Sequence, residues 1–164
     1  MRSLRAYYSS NISDFLKASN DEILGILHKN DASTLIRMQQ SDAWEQIICI
    51  LKDQLSRYQE GRVIFEYTIP RMGKRVDVVF LHQNIVFIME FKCGETEYKA
   101  STYDQVYDYA LDLRNFQKES HDKLLAPMMI ATKAPPISLK LIEYDRIIEP
   151  IRCNAQNHSI KYLV

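Results

Sequence analysis

Arg75-Val76-Asp77-Val78-Val79-Phe80-Leu81, a short break of His82-Gln83-Asn84, then Ile85-Val86-Phe87-Ile88-Met89-Glu90-Phe91-Lys92: the architecture can be read outward from this run. Val, Ile and Phe dominate both arms, the composition of β-strands. The break is short enough for a hairpin. A turn centred between Gln83 and Asn84 puts Asp77 directly opposite Glu90, and Arg75 opposite Lys92, all on one face. Loops of two or four residues preserve that register, and a three-residue loop breaks it. Directly opposed side chains have Cβ atoms about 4.5–5.5 Å apart, where like charges repel. Two carboxylates facing each other in an apolar hairpin call for something positive between them.

Upstream, residues 63–69 form another Val/Ile/Phe-rich stretch after Gly61, and Pro70-Arg71-Met72-Gly73-Lys74 suits a tight turn with Gly73 at positive φ. Before it, Trp44, Ile47, Ile48, Leu51, Leu55 and Tyr58 recur at three and four residues, predicting a helix. The Asp42 to Glu45 spacing is that of a capping box and marks its expected start. The first forty residues read as short helices, one opened by Ser19 and Glu22 and striped by Ile23, Leu24 and Leu27. Downstream, a helix is expected over about 101–118, with Tyr103, Val106, Tyr107, Ala110 and Leu113 on one face. A strand follows at 128–132, ended by Ala134-Pro135-Pro136, with further strand candidates at 146–152 and 160–164. The order α, β, β, β, α, β predicts an α/β or α+β domain on a mixed sheet. The 164 residues read as one domain: a helical extension at 1–40, a motif-bearing core at 41–133 and C-terminal strands at 134–164.

Lys and Arg number 21 and Asp and Glu 21, and they balance along the chain: 7 against 7 through residue 59, 8 against 9 over 60–118, and 6 against 5 beyond. No basic tail or block announces a protein that holds nucleic acid by bulk charge. Cys49, Cys93 and Cys153 lie far apart, without a disulfide framework or zinc-ligand spacing. The N-terminus lacks the apolar stretch of a secretory signal, and no apolar run approaches a membrane span. A cytoplasmic location is the expectation. The four histidines read as solvent-facing residues of helix ends and loops, and Trp44 as core.

The opposed Asp77 and Glu90 suit a hard divalent cation, since Mg²⁺ is typically held by one or two carboxylates plus water and phosphate oxygens. Lys92, two residues from Glu90 on the same face, would set an ammonium beside that centre, where it could offset charge building on a phosphate. The plainer reading pairs Asp77 with Lys74 or Arg75 and Glu90 with Lys92 as structural ion pairs. Gln105 and Tyr109, four apart, share one face of the helix that follows.

Asp77, then Glu90-Phe91-Lys92, then Gln105-Val106-Tyr107-Asp108-Tyr109 resembles the PD-(D/E)xK nuclease pattern in its RecB-like form with a QxxxY helix. The Tyr7-Tyr8 start, the 65–77 run and the helix at 105–116 are further similar to the N-terminal domain of bacterial proteins that continue into a Schlafen-like DNA/RNA helicase. The resemblance covers roughly residues 5–133. It implies a restriction endonuclease-like core, α-β-β-β-α-β, with Asp77 and Glu90 ligating Mg²⁺ or Mn²⁺ and Lys92 acting on the attacking water and the scissile phosphate. Glu45 matches the acid such nucleases carry on the helix before the first core strand and would supply a carboxylate behind the metal's own ligands or to a second metal ion, though a capping role explains it without catalysis. Gln105 and Tyr109 would position Lys92 or the nucleic-acid backbone. Glu66 ranks below these and shares the Asp77 face only if the 70–74 turn closes tightly. Val76 stands where the naming Pro would be. The implied substrate is DNA before RNA, with a linked or separate helicase, or a homodimer, supplying grip. The helicase-linked proteins carry a P-loop, which Gly73-Lys74-Arg75 is not, so the chain is expected to be the nuclease-like part of a longer protein or the product of a truncated gene. Two alternatives stand beside the nuclease: a catalytically silent module that binds nucleic acid or a helicase, and a purely structural ion-pair network.

Overall fold

The computed structural model describes residues 4–33 and 37–156, so the strand expected at 160–164 lies outside the described residues. Among them run β1 (Tyr8–Asn11), α1 (Ile12–Lys17), α2 (Asn20–Asn30), α3 (Arg37–Leu55), β2 (Arg62–Thr68), β3 (Arg75–His82), β4 (Ile85–Lys92), α4 (Ala100–Phe116), β5 (Leu124–Ala131), β6 (Glu143–Tyr144), β7 (Ile147–Ile148) and β8 (Ile151–Cys153). The fold is mixed α/β: one eight-stranded sheet in the order β1-β2-β3-β4-β5-β7-β6, with β8 also paired to β5, and four α-helices. β1 to β4 are antiparallel neighbours, whereas β5 lies parallel to β4, with α4 carrying the chain between them.

Alternation along the strands divides the core in two. Phe87, Met89 and Phe91 of β4 pack with α1, α2 and α3, whose Phe15, Leu27 and Trp44 are almost fully buried. Val86 and Ile88 pack on the other face against Val106, Tyr109, Ala110 and Leu113 of α4. A sheet covered on both faces explains why β4 and β5 read as near-continuous apolar runs.

Several expectations are corrected. The N-terminal extension is not wholly helical, because Tyr8–Asn11 adds a strand to the edge of the sheet against β2. The capping box at Ser19 and Glu22 does open α2, with both reciprocal hydrogen bonds made. The Asp42 to Glu45 spacing marks no helix start, since α3 already runs from Arg37 and both residues lie on its exposed side. His82 is not a loop residue: it is buried at the end of β3, its Nδ1 2.9 Å from the Glu60 carbonyl and its ring stacked on Phe80. On α4 it is Tyr109 that is buried, while Tyr103 and Tyr107 are half-buried.

Candidate active site

The β3–β4 hairpin closes through a two-residue turn, with His82 paired to Ile85 and Gln83 at φ 51°. Its ladder continues to Val78 opposite Met89 and stops there. In that register Asp77 comes next, opposite Glu90, but instead of a further backbone pair the Asp77 Oδ2 accepts from the Phe91 N–H at 2.8 Å. The alternation of β3 breaks at the same point: Val76 packs on the α4 side and Val78 on the α3 side. Asp77 therefore sits where two strands part, half-buried between both faces of the sheet.

Glu90 is buried, with Oε1 2.9 Å from the Lys92 Nζ and Oε2 without any hydrogen-bond partner. Across from it, the Gln105 side-chain amide donates to the Tyr109 hydroxyl at 2.7 Å. Burial, and then the Glu90 charge, push the Asp77 carboxyl well above the usual range, against the pull of the Phe91 N–H. Glu90 is raised by burial, opposed by Lys92 and Gln105. Tyr109 is pushed up to about 12 by burial and the facing Glu90. The structure thus brings Asp77, Glu90, Lys92, Gln105 and Tyr109 into one electrostatic neighbourhood. A cavity of about 260 Å³ opens beside Lys92 and Gln105.

Glu45 stays outside this group: it is exposed, with no hydrogen bond or ion pair to Asp77, Glu90 or Lys92. Glu66 occupies the inner position that sequence reasoning ranked low. It lies opposite Asp77 in the β2–β3 register, at the one pair where that ladder is interrupted. A left-handed backbone, φ 53°, turns its buried side chain toward α3, where the Trp44 Nε1 donates to Oε1 at 3.0 Å. Its charge raises the Asp77 carboxyl further. Nothing in the residue types around Glu66 announces such a backbone, since non-glycine residues take it rarely. Arg75 does not line the face of Lys92 as expected. It pairs with Thr68 and carries its guanidinium over the Tyr7 ring, 4.4 Å from the centroid, with Nε 3.9 Å from Glu66 Oε2. The neighbouring Cys93 thiol is pushed up by burial and by Asp77.

Among the described residues, no three His, Cys, Asp or Glu side chains gather as a cage for a metal ion. The donor set still fits a hard cation that needs few protein ligands: two buried-site carboxylates, with the Glu90 charge raising the proton affinity of Asp77 and Glu90 offering a buried, partnerless oxygen. In comparisons with family models, with curated proteins and with solved structures, no match to this chain is found.

Proposed function

We propose that this chain is a metal-dependent nuclease domain of the PD-(D/E)xK kind, on a restriction endonuclease-like fold, hydrolysing phosphodiester bonds of DNA and, second, of RNA. The observation that carries the reading is the meeting of Asp77 and Glu90 at the parting of β3 and β4, with Glu90 Oε2 left unpartnered and Lys92 alongside. Asp77 and Glu90 would hold Mg²⁺ or Mn²⁺. When bound, such an ion supplies Lewis-acid stabilisation of a phosphate oxygen and a more acidic water.

The other residues support the same chemistry. The Lys92 ammonium offsets negative charge accumulating on the phosphate. Tyr109, titrating only near 12, stays protonated at neutral pH and is held by Gln105 against the site wall. The test is cleavage of a mixed DNA and RNA panel with Mg²⁺ or Mn²⁺. Wild type should cut; Lys92→Ala and Asp77→Asn, folded by circular dichroism, should lose at least about a hundredfold in rate, as when a charge-stabilising group is removed. Wild-type protein that cuts nothing in either metal would end this reading. One observation favours the silent-module alternative, the closed ion pair of Lys92 on Glu90 at 2.9 Å. That alternative predicts metal-independent binding without turnover in the same panel.

A further inference from the structure

We infer that Arg75 grips a backbone phosphate of a nucleic-acid strand from the α3 side of the sheet, an inference that rests on the phosphodiester reading of the neighbouring carboxylates. A chain with 21 basic and 21 acidic residues has no net charge to attract a polyanion at long range, so locally placed cations carry the weight of any grip. Most cations around the site are already neutralised at close range: Lys74 by Asp112 at 2.9 Å, Lys92 by Glu90 at 2.9 Å and Lys99 by Glu95 at 2.8 Å. Arg75 differs. Its carboxylate neighbour stands at 3.9 Å, that carboxylate is shared with the Trp44 N–H, and 44% of the side chain remains open to solvent.

The guanidinium is nevertheless held in place. The Tyr7 ring lies beneath it and Glu66 borders its Nε, so much of the entropy of fixing a long side chain is already lost before a ligand arrives. A guanidinium has five donors in a planar fork suited to phosphate, and the contacts with Glu66 and the Tyr7 hydroxyl leave several of them for an incoming oxyanion. Arg75 and Asp77 are two residues apart on β3, roughly 7 Å along a strand. That is of the order of one nucleotide step. A strand whose scissile phosphate lay over Asp77 and Glu90 would thus present a neighbouring phosphate to Arg75. Glu66, in its left-handed conformation, acts through Arg75 as a positioning residue.

The experiment is fluorescence anisotropy with short labelled single-stranded DNA, single-stranded RNA and duplex DNA, in chelator so that nothing is cut, across a salt series. Arg75→Ala should weaken binding about tenfold irrespective of sequence and lower the salt slope by about 0.7 for single strands or 0.9 for duplex. Arg75→Lys should keep the slope and lose part of the affinity, which decides the matter if the alanine variant fails to fold. Losses in the DNA arms, the RNA arm or both support the assignment. Unchanged affinity and slope, or no binding by wild type, overturn it. Arg75-dependent binding in a protein that cuts nothing with Mg²⁺ or Mn²⁺ would keep this assignment while removing the nuclease reading.

Discussion

At Asp77 a side-chain oxygen stands in for a backbone carbonyl: its Oδ2 takes the Phe91 N–H at 2.8 Å where the β3–β4 ladder would otherwise continue. The same carboxylate faces Glu90, and both are raised above their ordinary range, chiefly by burial. The folded state therefore binds protons more tightly than the unfolded chain. This contribution to stability is full below the ordinary carboxylate values, near 4, and is lost as pH rises through the raised ones. Metal-free Asp77→Asn, which keeps an oxygen for Phe91, should melt above wild type at pH 7, with the gap closing toward pH 4 in thermal scans. Mg²⁺ should raise the melting temperature of wild type and leave that of Asp77→Asn unmoved. Tyr109, at about 12, contributes no limb to a pH–rate profile below pH 10, so Tyr109→Phe should lower such a profile without changing its shape. A new alkaline limb would contradict this.

Among the elements, the hairpin was readable because two signals agreed: apolar composition in both arms and a short polar break whose centring sets the register and so opposes Asp77 and Glu90. α4, with Gln105 and Tyr109 on one face, followed from helical spacing. β1 was not readable, since Tyr8–Asn11 is four residues with two serines and takes its identity from docking on β2. The start of α3 was misread because Asp42 and Glu45, three apart, also suit the exposed side of a helix interior. Arg75 leaves its expected face because strict alternation assumes a regular strand, and the break at Asp77 and the positive φ at the facing Glu66 remove that regularity. Two glycines test the elements separately. A Cβ at Gly61, where φ is 138°, would stand 2.8 Å from both the Leu81 carbonyl oxygen and Phe80, so Gly61→Ala should cost about 1–3 kcal/mol in urea unfolding. Gly25 in α2 has open space around its missing Cβ, and Gly25→Ala should gain about 0.8–1 kcal/mol.

Across the whole molecule, charge neutrality and a two-sided core constrain how any substrate is held. With both faces of the sheet covered, the described residues leave the carboxylates approachable near the parting of β3 and β4 and beside the cavity at Lys92 and Gln105. With no net charge and Lys74, Lys92 and Lys99 already in ion pairs, few cations near the site are left to neutralise phosphates. Duplex binding by wild type should lose no more than about two log units per decade of salt, the slope of one or two phosphate contacts. A slope several times steeper in the same titration would mean that a basic surface forms which the balanced sequence does not suggest. Among the described residues, no helix is long and apolar enough to cross a membrane.

The hydrogen bond from Phe91 to Asp77 also makes one backbone amide an observer of the site. Its proton lies on a carboxylate whose charge changes with pH, with a bound cation and with the neighbouring Glu90. The amide shift and exchange rate of Phe91 would therefore report the occupancy of the carboxylate pair in solution, with no substrate, label or turnover needed. A spectroscopist could follow loading of the site from the frame of the sheet itself.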